Sequence, residues 1–218
     1  MRPSFTFDPL FHAGCYYVQE ASSMFIAHIL KHIKPTDPVK VLDLCAAPGG
    51  KSTLLNSAMT ADDLLVANEI IKTRVPILAD NLSRWGTANT IVTNNDPKDF
   101  NRLTGFFDII LVDAPCSGSG MFRKDPAAMD EWSEANVSLC HQRRERILAD
   151  VYPALAEDGY LIYSTCSYSH QKTKIYWIGF APNLNWKPCA YLLIRSGVLL
   201  KRSRRLNKPG IPVLSGQG

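Results

Sequence analysis

Between Ala21 and Ile33 the apolar residues Phe25, Ile29 and Ile33 fall four apart, which places them on one face of a helix that Pro35 and Pro38 bring to an end. Val39–Leu44 is a short apolar run with strand character, followed by a Gly/Pro turn and a helix from about Lys51 to Met59. Leu64–Ala67 predicts a second strand, closing at Glu69. Val75, Leu78, Leu82 and Trp85 mark a helix face that stops at Gly86, with Pro76 either kinking its start or sitting in its first turn. Thr90–Thr93 and Phe107–Asp113 read as the third and fourth strands, and Gly159–Ser164 as the fifth. A long helix over about 133–156, broken near Pro153, separates the last two. There is no internal repeat. Strands that alternate with helices, several of them apolar throughout, predict an α/β fold whose mostly parallel sheet has helices on both faces.

In such sheets ligands sit at the carboxyl ends of the strands, and the reactive residues of this chain gather there. They are Asp43–Lys51, Glu69, Asp96, Asp113–Cys116 and Thr165–Cys166. Core packing alone does not put acids and cysteines at five successive strand exits. In Asp43-Leu-Cys-Ala-Ala-Pro-Gly-Gly-Lys51, Gly49 and Gly50 permit a tight turn and close approach of the backbone to a ligand. The spacing is not that of a triphosphate-binding loop. Glu69 is placed to accept two ribose hydroxyls, although such acids are also found simply solvated. Cys116, beside Pro115, and Cys166, in Ser164-Thr-Cys166, leave neighbouring strands and are expected to share one pocket.

Composition narrows the class. The 218 residues are 46% hydrophobic and 20% charged, enough to fill a core. Met1–Asp8 has no apolar signal region, and no apolar run reaches the roughly 18 residues that span a bilayer. Six cysteines are scattered with no CxxC pair, so neither a metal site nor a disulfide scaffold is expected. A reduced, soluble, cytoplasmic protein with no membrane partner follows. The net charge of +4 is uneven: residues 1–171 carry 15 Lys+Arg and 20 Asp+Glu, whereas residues 172–218 carry 9 Lys+Arg and no acid.

The chain resembles the Sun-type (RsmF-like) RNA cytosine-5 methyltransferases over Phe5 to about Gln171. The resemblance rests on Tyr17-Val-Gln-Glu-Ala-Ser-Ser-Met24, Leu42–Lys51, Asn68-Glu69, Asn94-Asn-Asp96, Asp113-Ala-Pro-Cys116 and Ser164-Thr-Cys166. It implies a Rossmann-like methyltransferase fold, S-adenosylmethionine as cofactor and RNA, ribosomal by preference, as substrate. By the same resemblance Cys45, Ala46, Ala47, Pro48, Gly49, Gly50 and Lys51 surround the cofactor's methionine part. Glu69 holds the ribose hydroxyls, Asp96 the adenine edge, and Asp113 the floor of the site. Cys166 is the nucleophile and Cys116 assists product release. The chemistry asks for such parts: carbon 5 of cytosine takes a methyl group only after a thiolate has added at carbon 6. The base must leave its stack to reach them. Arg123, Lys124, Arg143, Arg144 and Arg146 are candidate phosphate contacts, the last three equally a solvated helix face. Tyr16, Tyr17 and Trp132 either stack on bases or fill the core.

After Gln171 the family continues Glu-Asn-Glu, but here Lys172-Thr-Lys-Ile-Tyr-Trp-Ile178 follows. The codons GAA AAC GAA GAT ATA TTG GAT T, for Glu-Asn-Glu-Asp-Ile-Leu-Asp, give that segment when read one nucleotide later. The expected organisation is a catalytic core at 1–171 and a frameshifted basic tail at 172–218, with the last strands of the sheet missing or altered. Sequencing the gene across codons 168–180 checks this, and an in-frame reading of both strands would remove the idea. The chain is also expected to lack an N-terminal extension and a C-terminal RNA-binding part. That leaves a second reading, in which a catalytically impaired fragment keeps cofactor binding and loses productive RNA binding.

Overall fold

Valine, isoleucine and leucine fill the central strands because those strands are covered on both sides. The computed structural model of the protein describes residues 4–21, 23–33, 38–114, 133–164 and 198–202. A single six-stranded sheet runs β3-β2-β1-β4-β5-β6, built from β1 (Lys40–Asp43), β2 (Leu64–Asn68), β3 (Thr90–Thr93), β4 (Phe107–Asp113), β5 (Leu155–Ser164) and β6 (Val198–Arg202). The first five are parallel, as expected, and β6 pairs antiparallel with β5. The edge strand β6 is drawn from the tail, where the last strands were expected to be missing or altered.

Five α-helices accompany the sheet among the described residues: α1 (Pro9–His12), α2 (Phe25–Ile33), α3 (Gly50–Ser57), α4 (Val75–Trp85) and α5 (Glu134–Val151). Pro76 lies in the first turn of α4, where its missing N–H costs nothing, and Gly86 closes the helix at φ 81°. The break near Pro153 is a 3-10 turn, Tyr152–Ala154. Strand β5 starts four residues before the expected Gly159. Leu155 already pairs with Phe107, and the chain bulges through Asp158 at φ 64° before Tyr160 resumes opposite Ile109.

Alternation along β4 divides the core. Phe107, Ile110 and Val112 pack with Leu42, Leu44 and the α5 residues Ile147, Leu148 and Val151. Ile109 and Leu111 pack on the other face with Val41, Leu65, Ile162, Leu55 and the α2 residues Ile26, Ile29 and Leu30. Each such fully buried side chain contributes roughly 1.5–3 kcal/mol. This two-sided core fixes the carboxyl edge of the sheet. The order reverses between β1 and β4, so the crevice that admits ligands opens at their exits. None of the described helices is long and apolar enough to cross a membrane.

Candidate active site

The loop leaving β1 is tied down from both neighbours. The Leu44 amide donates to Leu111 and the Ala46 amide to Asn68. The Ala47–Pro48 peptide is cis, and Gly49, at φ 111°, leads into α3. At Gly50 a Cβ would come within 2.8 Å of the Tyr17 ring, so only glycine lets the 17–21 segment lie against the helix start. The Gln19 amide donates to the Gly50 carbonyl there. Between this segment, residues 45–48, 50 and 51 of the loop, and Asp113 lies a pocket of about 650 Å³. That volume suits a nucleoside-sized ligand.

Asp113, at the end of β4, is the point where three elements converge. Lys51 Nζ from α3 lies 2.7 Å from Oδ2, and Ser164 Oγ from the end of β5 donates to Oδ1 at 2.6 Å. Asp113 and Ser164 are direct partners across the β4–β5 ladder. Asp43 is fully buried; Ser52 Oγ donates to its Oδ2 at 2.7 Å, and Oδ1 has no hydrogen-bond partner among the described residues. Burial pushes the Asp43 carboxyl up to about 7. Burial also pushes the Cys45 thiol up, helped by the carboxylates of Asp43, Glu69 and Asp113, so Cys45 is a protonated thiol and no nucleophile.

Glu69, just past β2, is buried and accepts the Ile71 amide at 2.9 Å through Oε1. Its Oε2 faces Arg74 Nη1 at 3.3 Å, an ion pair too misaligned for a hydrogen bond, and receives no hydrogen bond from the described residues. Arg74 also donates to the Ala47 carbonyl, joining Glu69 to the β1 loop. Asp96 caps the 3-10 turn Pro97–Arg102 through the Lys98 amide, and Arg146 Nη2 sits 2.8 and 3.0 Å from its two oxygens. Burial raises the Asp96 pKa, but the Lys98 amide and Arg146 outweigh it and hold the carboxyl below its ordinary value.

The expected residues Cys45–Lys51, Glu69, Asp96 and Asp113 all lie at the carboxyl edge of the sheet, and the loop and Asp113 share the pocket. Cys116, Cys166, Arg123, Lys124 and Trp132 fall outside the described residues. Of the three arginines on α5, Arg143 is exposed. Arg144 is buried, bonded to the Cys140 carbonyl and the Tyr163 hydroxyl, and Arg146 is held by Asp96 and Asp150. Arg144 is therefore a buried structural tie and neither of the two expected alternatives, whereas Arg146 stays on the exposed helix face and is paired there with two acids. Tyr16 donates to Asp8 at 2.6 Å, and Tyr17 forms a pocket wall. Arg74 and Gln19 were not anticipated as site residues. Nothing local signals Arg74, whereas Gln19 stood inside the Tyr17–Met24 motif.

The model of the family described as 16S rRNA methyltransferase RsmB/F matches residues 30–176. Ribosomal RNA small subunit methyltransferase F of Psychromonas ingrahamii is 40% identical over 163 residues, which are 74% of this chain and 34% of that protein. The protein of the same name in Salmonella arizonae is 42% identical over 164 residues, with the same coverage. The chain thus spans about a third of the length of the curated relatives it matches. Among solved structures, a methyltransferase homolog protein from Pyrococcus horikoshii superposes with TM-score 0.74 at 26% identity, covering 93% of this chain and 73% of that one. NSun6 from the same organism, solved with SFG, gives TM-score 0.74 at 21% identity, covering 92% of this chain and 56% of that one. The latter likeness is one of fold.

Proposed function

This chain belongs to the 16S rRNA methyltransferase RsmB/F family, and on that premise we propose that it carries the catalytic core that methylates carbon 5 of a cytosine in ribosomal RNA, with S-adenosylmethionine as donor. The observation that carries the reading is the convergence of Lys51 and Ser164 on Asp113, a lining residue of the pocket, at the strand ends from which the sequence runs on into the two cysteine motifs.

The residues present suit this cofactor. Glu69 Oε2, ion-paired with Arg74, is a buried acceptor with no hydrogen-bond donor among the described residues, which is what a ribose hydroxyl supplies. The Cys45–Lys51 loop and the Tyr17–Gln19 wall would enclose the methionine part, and the exit of β3 at Asp96 the adenine. The bound cofactor supplies an electrophilic methyl group on a sulfonium sulfur. Asp113, steadied by Lys51 and Ser164, holds the amino edge of the flipped base. The Cys166 thiolate would add to carbon 6, and the electron pair of the 5,6 double bond would become available at carbon 5 to form the new carbon–carbon bond to the methyl, the sulfonium's carbon–sulfur pair staying with sulfur as the neutral thioether, S-adenosylhomocysteine. A base assisted by Cys116 removes the carbon-5 proton, the double bond re-forms, and the Cys166 thiolate leaves. Exposed Arg143 joins Arg123 and Lys124 as a phosphate contact.

The test is covalent trapping. Cys116→Ala incubated with unmodified small-subunit RNA and S-adenosylmethionine should accumulate a denaturation-resistant protein–RNA adduct, absent from the Cys116→Ala/Cys166→Ala double variant. An adduct that persists without Cys166 would overturn the assignment of the nucleophile.

A further inference from the structure

We propose that Asn68 is a positioning residue that sets nucleoside affinity without touching the ligand, an inference that rests on the reading of Glu69 and Asp96 as the ribose and adenine contacts. Asn68 ends β2 and is fully buried. Its Nδ2 donates to the Leu44 carbonyl at 3.2 Å and the Asn95 carbonyl at 3.0 Å. Its Oδ1 accepts from Thr93 Oγ1 at 2.8 Å and from the Asn95 amide at 2.9 Å. Both donors and both lone pairs of the amide are used, so its hydrogen-bonding capacity is full. A flipped amide would aim oxygen at two carbonyls, so the orientation is fixed by its partners.

These four bonds reach the exits of the strands on either side. Leu44 is two residues before Ala46 in the β1 loop, Asn68 immediately precedes Glu69, and Asn95 immediately precedes Asp96. Backbone bonds complete the joint: the Ala46 amide donates to the Asn68 carbonyl at 2.8 Å and the Glu69 amide to Thr93 at 3.1 Å. The β1–β2–β3 ladders themselves are made by backbone groups and do not need this side chain. What the side chain fixes is the relative position of three exits, each carrying one part of the proposed cofactor site. A displacement of about 1 Å there is enough to lose oriented contacts.

Titration calorimetry with adenosine and with S-adenosylhomocysteine, on the full chain and its Asn68→Asp and Asn68→Ala variants, tests this. Asn68→Asp keeps the side-chain volume while removing at least one donor, and it carries the test should Asn68→Ala not fold. The expected result is a Kd raised about tenfold or more for adenosine, and by at least that factor for S-adenosylhomocysteine, at unchanged stoichiometry. The loss with adenosine is the signature, because adenosine carries only the ribose and adenine parts and so reports the β2 and β3 exits directly. A Kd within about twofold of the parent overturns the proposal. So does a fall in stoichiometry at unchanged Kd, which marks a fold-maintaining role, or a loss confined to S-adenosylhomocysteine. Failure of the parent chain to bind either ligand would instead overturn the reading of the pocket, and this inference with it.

Discussion

Replacing Asp43 by asparagine removes one titration from the core and changes little else. The Asp43 side chain is fully buried, takes one hydrogen bond from Ser52, and leaves Oδ1 without a hydrogen bond among the described residues. In the unfolded chain its carboxyl returns to its ordinary value of 3.8, whereas in the fold burial raises it to about 7. Between those values the folded protein holds a proton that the unfolded chain has released. Stability from this group is therefore fully present below 3.8 and is lost as pH rises through about 7. At about 1.36 kcal/mol per pH unit, the loss between pH 5 and pH 8 comes to about 2–3 kcal/mol. Asparagine has no proton to lose in that range and still accepts from Ser52. Urea unfolding of both proteins at pH 5, 6, 7 and 8 isolates the effect, since all other titrating groups are common to the pair. The parent should lose about 2–3 kcal/mol more than Asp43→Asn across the series. Parallel pH profiles would refute the argument that Asp43 is held neutral by burial.

Three further outcomes are expected. Gly14→Ala combines a φ of 75° with a Cβ placed inside the Arg84 carbonyl, so it should cost about 2 kcal/mol or more and lower the melting temperature; an unchanged melt would mean that this segment does not pack on α4. Iodoacetamide at pH 8, followed by peptide mass spectrometry, should label exposed Cys15 at least about tenfold faster than Cys45, whose thiol is raised by burial, and equal rates would contradict the environment assigned to Cys45. Arg146→Glu should lower the melting temperature through the lost Asp96 contact. Arg143→Glu should leave the melt unchanged and weaken RNA binding with a shallower salt slope, and the reverse pattern in filter-binding and melting data would exchange their roles.

Much of the fold was legible because its strands are apolar runs, and apolar runs at alternating spacing with helices read as a doubly covered sheet. The acids and the Cys45–Lys51 loop were legible for the related reason that polar residues at strand exits have no core to fill. The pairs that make the site were not. Lys51 meets Asp113 across 62 residues and Ser164 meets it across 51, and no local pattern carries such distances. Arg146 shows the cost of that blindness: three arginines on α5 looked alike as a basic run, and only the fold reveals that one is buried and one is committed to an acid 50 residues away. The four-residue α1 has no room for a helical period, and β6 lies in a segment whose composition signalled nothing but charge.

The most direct measurement is tritium transfer from labelled S-adenosylmethionine to unmodified small-subunit ribosomal RNA, made with the parent chain and with Cys166→Ala after calorimetry has established that both bind the cofactor. Incorporation at cytosine by the parent, abolished in Cys166→Ala, is the expected result. Cofactor binding with no incorporation by the parent would contradict the proposed activity for this chain, and undiminished incorporation by Cys166→Ala would contradict its mechanism.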